Sequence, residues 1–415
     1  MVAEAKSDPV EDRLSAMPAG GGWLGQARDD AAGRLRAVGM PGRRDEYWRY
    51  TNPAPLTQPM PGVTGQKDVG DPWTGVDVVA VTIEDDVITL PDSLPEGLEI
   101  ATVSQAGEAD IHWAKDLYGV LEASGSRPIS RPFAMLNTAT ARAGLTMRVT
   151  GRVETPVHIR TLGQGDPLHH HVIRVETGAE VTILKSGTAG ARANTVTEID
   201  VADGGTCHHF RIQGPDQDRH VNTHLFARLG AESVLKSFTL SANGELTRNE
   251  AVIEMTGDRG VAAIACAAFG RGDFHHDDTV WVTHDAEECE SRQVFKKVLR
   301  DGATGVFQGK ILVKEGAQKT DGYQISQSLL LDDDSVFLAK PDLEIYADDV
   351  ACSHGSTTGA IDETALFYLR SRGVSEKEAT DLLVLSFLAE CLDEIGDESL
   401  RDHVADRLAD WLHAA

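Results

Sequence analysis

The sequence predicts a mainly β fold: a parallel β-helix core with helical N-terminal and C-terminal regions. From Leu145 to about residue 350 the chain is a succession of short strand-like runs separated by Gly/Asp turns. Three of these turns recur at intervals of 26 residues, at Gly178-Ala179, Gly204-Gly205 and Gly230-Ala231. This period fits one coil of two or three short strands that stacks on the next coil in parallel ladders. The alternative that these residues leave open is an ordinary β-sandwich with chance turn spacing.

The domain order follows from composition along the chain. Residues 1–76 predict a helical region and a linker, because apolar positions at helical spacing over 21–40 end at the Pro41-Gly42 pair. The Pro/Gly-rich passage up to residue 76 is interpreted as a linker or an extended wrap. The β-helix core is expected over 77–358, with a helical interruption at about 108–142.

The C-terminal region, 359–415, predicts a helical domain. A first helix ends at Gly373, and Ser375 and Glu378 form a capping box that opens the next helix. Apolar residues then recur at helical spacing as far as Leu412. They exceed what two short helices can bury against each other. These helices therefore either pack on the β body or present an apolar face to a partner.

Charge and cysteine content exclude several classes of protein. The 415 residues carry a formal net charge of −26, which disfavours nucleic-acid binding because phosphates are held by clustered Lys and Arg. The five cysteines are odd in number and form no CxxC, so neither a disulfide framework nor a site built from four cysteines is expected. We expect a cytoplasmic protein, since the N-terminal segment lacks the apolar core of a signal peptide and no apolar run suits a membrane span.

Histidine runs at 169–171, 208–209 and 275–276 suggest metal sites at first sight. Adjacent strand residues point to opposite faces, so each run divides its imidazoles. The richest segment, FHHDDTVWVTH at 274–284, is therefore interpreted as a solvated polar strand face. Its carboxylates, Asp277 and Asp278, together with Asp332–Asp334, support one alternative, a β-helix enzyme that acts on carbohydrate.

The stretch GVFQGKIL at 305–312 resembles a phosphate-binding loop only superficially. It has three residues between its glycines instead of four, and Ile follows the Lys where Ser or Thr should bind magnesium. No ATPase motif is therefore assigned, and the chain is expected not to be an enzyme.

The segment YADDVACSHGSTTG at 346–359 holds the candidate site residues, Cys352 and His354. If one unbroken strand ran through it, Leu343 and Ile345 would face the coil interior, and Cys352 and His354 would share the exposed face. Residues two apart in a strand lie about 6.5–7 Å apart at Cα. A buried thiol beside a surface histidine is the competing interpretation.

The same segment, with IDETALFYLRSRGVSEKEA after it, resembles the C-terminal signature of the SufB/SufD family of the bacterial Suf iron–sulfur cluster assembly machinery. RRDEYWRYTNP at 43–53 is similar to the family's early E-x-W-[KR]-Y-T element, and RPFAMLNTA also matches. The likeness covers nearly the whole chain. It favours the D branch, because B-type subunits lack the CSHG sequence and are usually longer.

The resemblance implies a right-handed parallel β-helix that acts as a scaffold subunit. It implies pairing with a SufB-like homologue through the end of the β-helix and docking of a SufC-like ABC ATPase on the C-terminal helices. It also implies that Cys352 and His354 lie at the subunit interface as ligands of a nascent cluster. An iron–sulfur cluster or iron would be shared transiently with the partner, no cofactor is expected in the isolated protein, and a homodimer remains open for the chain alone.

Overall fold

The body of the molecule is a parallel β-solenoid. The computed structural model describes residues 8–57, 70–187, 192–214 and 218–414. Its strands are β1 (Val79–Glu84), β2 (Val87–Thr89), β3 (Leu98–Thr102), β4 (Leu145–Val149), β5 (Val157–Leu162), β6 (Leu168–Val175), β7 (Glu180–Ser186), β8 (Arg192–Val201), β9 (Thr206–Gln213), β10 (His220–Leu229), β11 (Val234–Ala242), β12 (Leu246–Met255), β13 (Val261–Arg271), β14 (His275–His284), β15 (Glu290–Arg300), β16 (Thr304–Val313), β17 (Asp321–Leu330), β18 (Val336–Ile345) and β19 (Ala351–Gly359).

The helices lie before, between and after these strands. They are α1 (Pro9–Leu14), α2 (Gly22–Val38), α3 (Ala54–Thr57), α4 (Val103–Glu108), α5 (Val120–Gly125), α6 (Pro132–Thr140), α7 (Glu363–Ser371), α8 (Glu376–Ala389) and α9 (Glu398–Ala414), with short 3-10 helices at Glu46–Trp48, Trp113–Asp116 and Leu392–Glu394.

Each coil contributes one strand to each of two sheets. The ten-stranded sheet runs β19-β17-β15-β13-β11-β9-β7-β5-β1-β2, and the nine-stranded sheet runs β18-β16-β14-β12-β10-β8-β6-β4-β3. Strands two apart in sequence pair in parallel, as β10 does with β12 over His220–Leu229. This pairing confirms the predicted stack of coils and excludes an ordinary β-sandwich, in which most neighbouring strands are antiparallel.

The repeat arises from turns that glycine permits and from alternation that buries one face. Gly178 and Gly204 adopt positive φ values of 68° and 66° in equivalent turns, a conformation that a side chain disfavours. Alternate residues of β9 then point inward and outward. Cys207 joins the core inside the solenoid, whereas Phe210 joins an apolar cluster on the outside.

The C-terminal helices cover that outer cluster. Val384 and Leu388 of α8 and Val404 and Leu408 of α9 are buried against it. This packing settles the alternative left open by the sequence, because most of the helical stripe is covered by the β body. Helix α7 has no buried residue, so it remains on the surface.

The N-terminal region packs on the opposite flank. Helix α2 lies where the sequence predicts a helix and packs against α6, which belongs to the helical interruption. The central part of the predicted linker, 58–69, falls outside the described residues.

The two ends of the solenoid differ. At the N-terminal end, β2 pairs antiparallel with β1 and β3 pairs antiparallel with β4. At the C-terminal end, β18 and β19 are the outermost strands, and no described strand pairs with their outer edges. We call the outer edges of β18 and β19, with the interior positions that they leave uncovered, the open end.

Candidate functional site at the open end

The two candidate residues lie on β19, in the last coil. Cys352 pairs with Gly322 and His354 pairs with Gln324 across the parallel ladder to β17. Both therefore have the same orientation in one strand, as predicted. The backbone between β18 and β19 leaves the strand conformation over 346–350. The inward and outward alternation of side chains in β18 therefore does not predict the orientation of side chains in β19.

The predicted outward orientation is wrong. The column of paired residues below Cys352 runs through Gly322 and Ser291 to Ala262, a member of the core inside the solenoid. Cys352 and His354 thus occupy interior positions. His354 is nevertheless exposed, because no described coil stacks over β19.

The Cys352 thiol is half-buried. It packs beside a small apolar cluster that includes Ile311, Val313 and Ala347. Burial raises the pKa of Cys352 above its ordinary value, the Asp321 carboxylate adds to the rise, and a backbone hydrogen bond from Gly322 opposes it. The charged group that acts on the thiol is thus Asp321, at the start of the neighbouring strand β17.

The pair offers a thiol sulfur and an imidazole nitrogen on one side of one strand. These are ligand types suited to iron and to iron–sulfur units. Among the described residues, the only compact group of three or more His, Cys, Asp or Glu ligand atoms lies elsewhere. A site built on Cys352 and His354 would therefore need further ligands from outside the described chain.

The His275–Asp278 segment is buried, so the predicted solvated face is wrong. Adjacent residues of this strand do point to opposite faces, as predicted. Asp277 points outward but is covered by the N-terminal region: it forms an ion pair with Arg248 and accepts a hydrogen bond of 2.5 Å from Thr51 Oγ1. Trp48 covers the same spot, with its ring 4.1 Å from the Arg248 guanidinium carbon. The RRDEYWRYTNP element therefore covers this strand face.

Asp278 points inward and belongs to a compact group with Cys266 and His276. Their ligand atoms lie within 4.8 Å of one another. Lys297 Nζ lies 2.8 Å from an Asp278 carboxylate oxygen and 3.0 Å from His276 Nδ1, and it also donates to two backbone carbonyls. The lysine ammonium thus already engages two of the three groups that a metal would need, and we assign the group a structural role.

Sequence reasoning missed Cys266 and Lys297 because they come from neighbouring coils of the other sheet. The signal that could have found them is the 26-to-30-residue spacing, which aligns strands into columns.

The carboxylates proposed for a carbohydrate enzyme do not converge. Asp277 and Asp278 point to opposite faces of β14, and both are paired with cations. Asp332 lies in a turn, where it accepts hydrogen bonds from the backbone N–H groups of Asp334 and Ser335. Glycoside hydrolysis needs two carboxyl groups that flank one bond across a cleft, and these do not.

The stretch 305–312 lies within β16 and does not form a loop before a helix. This placement excludes it as a phosphate-binding loop. No helix of the described chain is long and apolar enough to cross a lipid bilayer.

Comparison with known proteins agrees with this architecture. The SUF system FeS cluster assembly, SufBD core domain matches residues 161–387. The iron-sulfur cluster assembly protein SufD of Escherichia coli is 29% identical over 80% of this chain and 74% of its own. A SufBD family iron-sulfur cluster assembly protein of Mycobacterium leprae is 28% identical over 92% of this chain and 93% of its own. The match spans more than half of the chain, and the chain therefore belongs to the SufBD family of Suf iron–sulfur cluster assembly proteins.

Proposed function

We propose that this chain is a non-catalytic scaffold subunit of the SufD type, on which a nascent iron–sulfur cluster is shared with a partner. The observation that carries the proposal is the placement of Cys352 and His354 on the last coil, where an interior face of the solenoid meets solvent. An incomplete ligand set also suits a scaffold, which must release what it builds. The cluster is cargo, and we do not expect the isolated chain to retain it.

The partner we propose is a SufB-like homologue that binds the open end. Strands β18 and β19 offer about ten and nine residues of parallel edge, and β19 is largely exposed. Unpaired strand edges bind other strands readily. A homologue with its own open end would bring its ligands toward Cys352 and His354. Without it, two copies of this chain could pair through the same edges as a homodimer.

A SufC-like ABC ATPase is proposed to dock on the C-terminal helices. The buried side of α8 and α9 is already used by the β body, so docking falls to what remains exposed. Phe367 and Tyr368 of α7 are 72% and 54% exposed, and Leu382 of α8 is 43% exposed. We call these three residues the α7 patch. Aromatic residues of this kind often dominate binding energy at interfaces.

Cluster formation in the co-expressed complex tests the site. Cys352→Ala and His354→Ala should leave folding and co-purification unchanged while reducing iron and acid-labile sulfide by about tenfold, since each removes one ligand. Ser353→Ala is the matched control, because Ser353 is an exposed residue between the two on the opposite face of β19. If both ligand variants assemble clusters at the wild-type rate, the pair is structural and the proposed role is wrong.

A further inference from the structure

Two cationic side chains meet inside the solenoid, far along the body from the open end. Lys185 of β7 pairs in register with Arg211 of β9. Both lie in an interior column, because their neighbours along it include Ile159 and Cys266 of the inner core. They border a cavity of about 40 Å³ that is also lined by His209 and by Thr197 and other hydroxyl residues.

The hydrogen-bond partners of these cations are neutral. Lys185 Nζ donates to Thr197 Oγ1 at 3.0 Å. Arg211 donates to Thr223 Oγ1 at 2.6 Å and to Thr239 Oγ1 at 3.1 Å. Within the described chain, no carboxylate forms an ion pair with either residue.

Three other buried cations of the body differ from this pair, because each has a carboxylate partner. Lys297 is paired with Asp278, while Arg248 and Arg131 are paired with Glu250. The two carboxylate residues beside the cavity, Asp278 and Glu250, are therefore already engaged. A buried charge without a counter-charge is costly, so a small anion in the cavity would stabilise the pair.

The cavity has both the size and the donors for such an anion. A cavity of roughly 10–15 Å³ already holds one water, so this one can hold a species somewhat larger. His209 is buried, and its Nε2 has no hydrogen-bond partner among the described residues. The cations, the hydroxyl groups and this imidazole would surround a bound anion with donors.

We propose that the cavity between Lys185 and Arg211 is an internal binding site for one small monovalent anion of halide or hydrosulfide size. This site is separate from Cys352 and His354, and it does not depend on partner subunits. Its occupancy should decrease as pH rises. Burial and the nearby Arg211 lower the pKa of Lys185 to about 7, so the lysine loses its charge above that pH. Arg211, whose pKa burial lowers to about 10, stays charged.

The neighbouring imidazoles do not supply the positive charge. Burial lowers the pKa of His171 and of His209 well below the ordinary value, and Lys185 lowers both further. Burial also lowers the pKa of His169, and it lowers the pKa of His224, which lines the cavity, to about 4. The neutral form of all four imidazoles is therefore favoured.

Bromide is the probe for the full-length protein. Anomalous diffraction should place one bromide in the cavity. In solution, 100 mM bromide should raise the thermal midpoint by roughly 1–3 °C relative to gluconate at pH 6, and by less at pH 8.5. Lys185→Met should abolish both effects, and Arg211→Met provides a second variant in case the first does not fold. Lys319→Met is the control, because Lys319 is an exposed surface lysine.

An anaerobic arm with sulfide in place of bromide distinguishes the two anion sources. A midpoint shift at lower concentration than bromide identifies hydrosulfide as the preferred ligand, and the reverse order identifies a halide. The proposal is overturned if the cavity holds only water, if the midpoint shift survives Lys185→Met, or if bromide binds at crystal concentration only. None of these outcomes bears on cluster formation at Cys352 and His354.

Discussion

The middle coils and the last coil are built on the same two-strand repeat, yet they hold reactive side chains in opposite ways. In the middle, β14 buries His276, Asp277 and Asp278 and satisfies each carboxylate with a cation. In the last coil, interior positions lie at the open end, so Cys352 is half-buried and His354 is exposed. The difference comes from stacking: the carboxylates of β14 are covered and paired with cations, whereas no described coil covers His354.

The largest expected effect comes from removing a buried, ion-paired carboxylate in the middle coils. Asp277→Ala should lower the free energy of unfolding by about 3–5 kcal/mol, because it leaves the buried Arg248 to share Glu250 with Arg131, so that two buried cations have one carboxylate between them. Urea denaturation measures the change. Asp333→Ala, in an exposed turn, is the control and should stay within about 0.5 kcal/mol of wild type. If both variants lose the same free energy of unfolding, burial of the strand is not the reason that its carboxylates stabilise the fold.

The second effect concerns the edge of the last coil. Val336 and Ile345, at the two ends of β18, are 43% and 38% exposed. Val336→Asp with Ile345→Asp should weaken capture of the SufB-like homologue by about 30-fold, which corresponds to roughly 2 kcal/mol for an apolar interface contact made charged.

Val87→Asp is the matched control at the other end of the solenoid. Val87 is 68% exposed on β2, an edge strand that the open-end proposal leaves unused. Pull-down with a tagged homologue measures the affinity. If Val87→Asp weakens capture as much as the β18 double variant does, pairing is not specific to the open end.

The third effect tests whether the C-terminal helices and the open end bind different partners. Phe367→Ala with Tyr368→Ala should reduce ATPase capture by about tenfold while leaving homologue capture unchanged, because aromatic side chains are common binding hot spots. Ile111→Ala is the control, since Ile111 is 94% exposed outside the α7 patch. Removal of residues 360–415 is a poorer test, as it would uncover the apolar cluster beneath α8 and α9. Loss of both partners together in the aromatic variant would contradict two separate surfaces.

The comparison also explains what could be predicted from sequence. The solenoid could be predicted because equivalent turns, such as those at Gly178 and Gly204, repeat along the chain. The burial of Asp277 could not, because its cover comes from Thr51, 226 residues earlier. The orientation of Cys352 could not either, since alternation is lost between β18 and β19. The alternation of side chains within one strand and the repeat of turns can be recognised in the sequence. Contacts between distant segments cannot, and neither can the side-chain orientation that follows an irregular turn.

The smallest expected effect concerns the reactivity of the Cys352 thiol in the last coil. Cys352 is the most accessible of the five cysteines, because the other four are buried, so alkylation of the folded protein reports on its thiol. The thiolate is the reacting form, so the raised pKa of Cys352 makes the alkylation rate at pH 8 lower than that of an ordinary thiol, and the rate increases with pH. Asp321→Asn removes a carboxylate that contributes to this rise, so the pKa should fall and the rate at pH 8 should increase by less than about tenfold, one pKa unit. Asp348→Asn is the matched control and should leave the rate unchanged. If Asp348→Asn accelerates alkylation and Asp321→Asn does not, the thiol is oriented toward Asp348, and the assignment of Cys352 to an interior position of the last coil is wrong.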